Sequence, residues 1–227
     1  MIMLLRSAFS HRALVATMCR IVAFGLMGGF TVLTTGCITS SNMTAMNGNL
    51  PPVVPANKAQ IVFMRPSVLG GSIQSSVYEV RDGSQDFIGI VSAKTKIAYN
   101  VPAGEHLFMV VSENADFLIA HVQSGKTYYA LVSPRPGVWK VRFSLLPIHN
   151  DPAAKYNLNG QDFADWSSET HFVEVNNDGR QWYQENTNDI SDKRKEYMAK
   201  WDQKSPEDKA SLILYEKDGV TAPSDKQ

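Results

Sequence analysis

Eight short runs rich in β-branched and aromatic residues, each closed by a turn signal, fill the chain from Ala59 to Ile148. Runs of that length at that spacing leave no room for a long helix and direct the segment to an all-β sandwich or barrel. They are Gln60–Arg65, Ser75–Arg81, Phe87–Ser92, Lys96–Val101, His106–Ser112, Phe117–Val122, Thr127–Val132 and Val138–Leu145. Two of them alternate: Ile97, Tyr99 and Val101 oppose Lys96, Ala98 and Asn100, and Trp139, Val141, Phe143 and Leu145 oppose Lys140, Arg142 and Ser144. Strict alternation predicts one buried and one wet face. His106–Ser112 and Phe117–Val122 carry apolar residues on both faces, which fits central strands or a sheet with the C-terminal segment packed on its outside. Asp82-Gly83, Ser124-Gly125 and Pro102-Ala103-Gly104 are the turn signals, since Gly and Asp accept positive φ and Pro presets a bend. The expected fold class is therefore mainly β, an antiparallel β-sandwich over residues 59–148.

After Pro147 the composition turns polar. Residues 149–169 read as a connecting loop despite Tyr156, Phe163 and Trp166, and His171–Val175 reads as one more strand, ended by Asn176-Asn177-Asp178-Gly179. Tyr183, Ile190, Arg194, Tyr197 and Trp201 then fall on one stripe of a helix. Ser205-Pro206-Glu207-Asp208 has the form of an N-cap, a first-position proline and acids in the first turn, opening a second short helix that would carry Leu212, Ile213 and Tyr215. Residues 149–220 are thus expected to add a helical extension to the sandwich, and residues 221–227 to form a disordered tail.

The N-terminal part says where such a chain resides. Arg6, His11, Arg12 and Arg20 precede an apolar stretch, Ile21–Leu33, that is too short for a comfortable membrane span and ends in Thr34-Thr35-Gly36-Cys37. The arrangement resembles a bacterial lipoprotein signal, with Thr34 where a leucine is usual. The resemblance implies cleavage after Gly36, acyl chains (palmitate among them) on Cys37, and attachment to the membrane through that lipid anchor. An ordinary buried thiol and an uncleaved anchor helix are the competing readings of the same residues. Ile38 and Thr39 stand where inner-membrane retention would ask for aspartate, so the implied location is the outer membrane, facing the periplasm or the cell surface. Residues 38–58, with Pro51, Pro52 and Pro55, show neither periodicity and read, from Cys37 to Lys58, as a Pro-rich tether.

Removing residues 1–36 takes away Arg6, Arg12 and Arg20 and no acid, leaving 19 basic against 22 acidic side chains. Such a surface, with no basic stripe, argues against nucleic acid as a partner. Cys19 leaves with the leader and Cys37 would be acylated, so no disulfide is expected.

Val62-Phe63-Met64-Arg65-Pro66, Tyr78–Gly83, Ile88-Gly89, Tyr99-Asn100-Val101-Pro102-Ala103-Gly104-Glu105-His106 and Ser124-Gly125-Lys126-Thr127-Tyr128-Tyr129 resemble domain-of-unknown-function family 2846, small β-sandwich domains found mostly in bacterial lipoproteins. The resemblance covers about a third of the chain, departs at Ala103, where many such turns have a second proline, and does not account for the chain after Ile148. It implies a non-enzymatic envelope domain.

The side chains nominate no cofactor, no metal ligand and no catalytic residue. His106, His121, His149 and His171 are scattered without a spacing that would put two ligands on one helical turn, and His106 is expected to bond to backbone at its own turn. Ser72 in Gly70-Gly71-Ser72 lacks a partnered base in the sequence pattern. Tyr128 and Tyr129 must point to opposite faces of their strand, and the aromatic stripe of the C-terminal helix is the expected cover for the outward one; an exposed patch that binds a partner is the rival. The expected role is a non-catalytic binding or envelope-assembly module with an envelope protein partner. The rival from another class is an envelope hydrolase acting on glycan or peptidoglycan, using Asp116, Glu113 or Asp86, which would require two carboxylates in one concave cleft.

Overall fold

The structure is a computed structural model that describes residues 41–48, 51–136 and 141–221, all within the compact unit Cys37–Gln227. The expected leader over residues 1–36, Cys37, Val138–Lys140 with Trp139, and residues 222–227 of the expected tail lie outside the described residues.

Two sheets face each other. The first contains β1 (Met43–Ala45), β2 (Ala59–Arg65), β5 (Thr95–Val101), β8 (Lys126–Arg135), β9 (Arg142–Ile148), β10 (His171–Val175) and β12 (Val220–Thr221), in the order β1-β10-β5-β2-β8-β12 with β9 also on β8. The second is β11-β7-β6-β3-β4, from β3 (Ser76–Arg81), β4 (Ser84–Ile90), β6 (Gly104–Val111), β7 (Ala115–Val122) and β11 (Ile213–Leu214). Their inner faces interdigitate through Ile61, Phe63, Phe108, Val110, Leu118, Tyr128 and Ala130, with Phe63 edge-on to Phe108 at 5.2 Å between ring centres. Seven of the eight expected strands form, and the eighth, expected over Val138–Leu145, is β9 from Arg142 to Ile148, with Phe143 and Leu145 buried and Arg142 exposed as the alternation requires. The Asp82-Gly83 turn is made with φ values of 36° and 82°, the left-handed pair that a two-residue hairpin needs.

The fold is a mainly-β sandwich with helical additions, and its sheets are mixed. Most pairs are antiparallel, but β2–β8, β5–β10 and β7–β11 are parallel. Parallel neighbours need a long crossover. Here the chain leaves β2 and passes through the second sheet before returning as β8, and helices precede both β10 and β11.

Both outer faces are covered, by two different helices. Helix α2 (Asn177–Asp202) lies on the second sheet, where Ile190 and Trp201 pack against Tyr78, Met109, Val111 and Phe117. Its stripe is the one the spacing predicts, and Arg194 is buried with it, donating from Nε to Gln85 Oε1 at 2.7 Å and from a terminal nitrogen to the Gly83 carbonyl. Tyr128 points into the sandwich and Tyr129 outward, as adjacent strand residues must, but the cover over Tyr129 is not the C-terminal helix. It is α1 (Gln161–Glu169), within the stretch read as a loop, whose Phe163 and Trp166 pack over Tyr129, Leu131, Met64 and Ile148. Nine residues are too few for a convincing helical period, and α1 carries no basic residue in its last turn. Lys96 of β5 supplies that cation from another element: its Nζ donates to Ser167 O at 2.8 Å, with burial pushing its pKa down to about 8.

Three further differences concern the ends. Asn176 does not only end a strand; its side chain accepts from Gly179 N at 2.9 Å and caps α2. Ser205 and Pro206 open α3 (Pro206–Ala210) as expected, but the helix does not carry Leu212, Ile213 and Tyr215, because Ile213–Leu214 pairs with β7 as β11. Finally, the segment read as a tether is docked at β1, antiparallel to β10, with Met43 buried.

Candidate functional site

The end of the sandwich where β2 finishes carries the feature of greatest interest. Arg65 is completely buried, and its guanidinium donates to five neutral oxygens: Ile73 O at 2.8 Å, Ser75 Oγ at 3.3 Å, Val91 O at 3.4 Å, Leu69 O at 3.2 Å and Gly70 O at 2.6 Å. It stacks 4.3 Å above the Phe143 ring, and burial lowers its pKa to about 10, leaving it charged at neutral pH. A planar fork can hold several carbonyls at once, which a lysine cannot. The effect is to fix loop 66–75, whose tip presents Val68 at 67% and Leu69 at 54% exposure.

The same loop forms a wall of two clefts. On the α2 side a cleft of about 420 Å³ lies between Ser72, Ile73, Gln74, Ser112, Glu113 and the helix residues Trp182, Asn186 and Asp189. On the α1 side a smaller one, about 240 Å³, is lined by Pro66, Ser67, Leu131, Pro134, Tyr156 and Trp166.

The acids weighed for catalysis are not assembled. Glu113 lines the larger cleft together with Asp189. Asp116 lines neither; it accepts from Leu145 N at 3.3 Å, and its burial raises its pKa. Asp86 stands 3.5 Å from Arg81 in an exposed ion pair. Ser72 lines the larger cleft, and His121 lies 3.6 Å from Glu105. His171 opens β10. Among the described residues no group of three or more His, Cys, Asp or Glu side chains is placed to hold a metal ion.

Two histidine–carboxylate pairs act as struts. His106 does reach backbone at its turn, Nε2 to Pro102 O at 3.0 Å, and Nδ1 meets Glu79 Oε1 at 2.7 Å. Both ring nitrogens thus face oxygen atoms, one on the carboxylate and one on the backbone. Glu79, 1% exposed, also accepts from Tyr99 OH at 3.0 Å and pairs with Arg81. Burial alone would raise the Glu79 carboxyl; the bonds from His106, Arg81 and Tyr99 outweigh it and hold the pKa at about 2. Neither Glu79 nor Arg65 is among the candidate site residues that the sequence nominates, although Glu79 is a charge inside the run Val77–Val80 and Arg65 one at the end of the run Ile61–Arg65.

The second strut fastens the C-terminal segment. Asp218, in a 3-10 turn at Glu216–Asp218, is fully buried and accepts from His149 Nδ1 at 2.8 Å, Tyr215 N at 2.9 Å and Asn150 N at 3.0 Å. Burial opposes ionisation, yet these bonds leave its pKa lowered. Asp218→Asn puts an amide donor among three donors and is expected to cost about 2 kcal/mol. Denaturant midpoints and faster proteolytic cutting around residues 211–221 are the measurements that check it.

No protein-family model matches the chain, and no curated protein matches it.

Proposed function

We propose that this is an outer-membrane lipoprotein, anchored through Cys37, that acts as a non-catalytic binding or envelope-assembly module. The observation that carries the reading is loop 66–75: a buried guanidinium holds its carbonyls while Val68 and Leu69 stand in solvent. An apolar tip fixed in one shape loses little entropy on association, which suits recognition of a protein surface. Glu79 and Asp218 are engaged by three partners each, so the histidine–carboxylate pairs serve to brace the fold. The resemblance to domain-of-unknown-function family 2846 belongs to the same proposal. So does the anchor at Cys37, which rests on the pattern of the leader residues.

The test is a pull-down of the native, acylated protein from crosslinked cells, beside Cys37→Ala and a Val68→Asp/Leu69→Asp double variant. Envelope proteins recovered with the native chain are expected to be lost with both. Recovery of the same set with the double variant would remove the loop from the reading, and recovery of none with the native chain would remove the assembly role.

A further inference from the structure

The segment expected to hold the body away from the membrane is tied to it near its start. β1 is the edge strand of the first sheet, with Met43, Thr44 and Ala45 opposite Val175, Glu174 and Val173. Met43 is 5% exposed and its sulfur accepts from Ile90 N at 3.4 Å. Asn176 Nδ2 donates to Ser41 O at 2.9 Å, and Met46 N donates to Phe172 O at 2.9 Å, so both flanks of the strand are fastened too. Gly179 of α2 lies so close that a Cβ there would collide with the Asn42 carbonyl oxygen.

Ser41 is four residues from Cys37. Four residues reach at most about 14 Å, whereas the 22 steps from Cys37 to Ala59 would reach about 77 Å if nothing between them were docked. We propose that β1 is a strap that shortens the leash and holds the β1–β10 edge, with the start of α2, at the phospholipid headgroup layer. The inference rests on acylation of Cys37. The exposed residues of β1 and the facing edge are Thr44, Ala45, Glu174, Asn177, Asp178 and Arg180, small, polar or charged, so the short leash places this edge at the headgroup level and not among acyl chains. A partner of loop 66–75 is then met by a body that cannot leave the membrane surface.

The acylated protein carrying Glu174→Cys is labelled with a fluorescent donor and placed in vesicles of phosphatidylethanolamine and phosphatidylglycerol bearing a headgroup acceptor dye. Energy transfer from residue 174 is expected to be high and to fall several-fold in two variants. Gly179→Ala evicts the strap while improving the helix propensity of α2. A flexible spacer of about 20 Gly and Ser residues between Cys37 and Ser41 lengthens the leash and leaves the fold untouched. Equal transfer in the native chain and the spacer variant would overturn the strap. An intact mass without acyl chains on Cys37 would instead overturn the anchoring reading on which it rests.

Discussion

Arg65→Ala is expected to lower the stability of the protein by about 4 kcal/mol and to turn loop 66–75 into the first site of proteolytic attack. The guanidinium is the common partner of carbonyls from Leu69, Gly70 and Ile73. Each oxygen left buried without a donor costs about 1–3 kcal/mol, and the lost stack on Phe143 leaves a cavity as well. The loop lies at the surface, so it has an alternative to bearing that cost: it can open and let water reach the carbonyls. That limits the global loss and exposes the backbone around Val68. Arg65→Met separates the two contributions, because it keeps most of the apolar stem over Phe143 and removes every donor. The methionine variant is expected to recover about 1 kcal/mol of stability and none of the protease resistance. Arg65→Lys, with one nitrogen for three directions, is expected to leave the loop nearly as sensitive as methionine does. Denaturant unfolding with mapped proteolysis checks the series, and a protease-resistant loop in Arg65→Met would show that something other than the guanidinium holds it.

The strands were legible in the sequence because each signals itself locally, by alternation in Thr95–Val101 and by flanking turns elsewhere. The stripe of α2 was legible for the same reason, its period being repeated over about five turns from Tyr183 to Trp201. What was not legible depends on partners distant in sequence. α1 is short and its outward residues are polar, so only the apolar face of β8 explains why Phe163 and Trp166 are helical neighbours. β1 is three residues in a polar stretch, and its docking depends on a glycine 136 positions later, Gly179. The parallel pairs reflect the path between sheets, which no local pattern encodes. Of the candidate site, the loop glycines Gly70 and Gly71 were visible, but the meaning of Arg65 at the end of an apolar strand was not. A charge at a strand terminus is ordinarily solvated, and only the fold places this one where water is excluded.

Glu79 should make the sandwich measurably sensitive to acid, and Glu79→Gln should remove both stability and that sensitivity. The carboxyl sits at about 2 in the folded protein against an ordinary value of 4.5. Because the folded value is depressed, the associated stability is fully present above pH 4.5 and disappears as pH falls toward 2. The difference corresponds to about 3 kcal/mol. The carboxylate draws together three strands: His106 is on β6, Tyr99 on β5 and Arg81 on β3 beside Glu79 itself. Tyr99 comes from the first sheet and Glu79 from the second, so the bond between them crosses the sandwich, and its loss loosens the sheets as well as one side chain. Glutamine keeps the shape but offers one oxygen for three donors and adds an NH2 group that must face one of them. At neutral pH the variant is expected to lose about 3 kcal/mol, close to the whole contribution of the charge. Between pH 4.5 and 2 the native curve should fall toward that of the variant, while the variant loses only what the remaining carboxylates, Asp218 among them, contribute. Denaturant unfolding of both proteins at intervals across that range gives the comparison. Parallel curves would mean that Glu79 is protonated no more reluctantly than a solvated glutamate and that His106, Tyr99 and Arg81 do not hold it as a carboxylate.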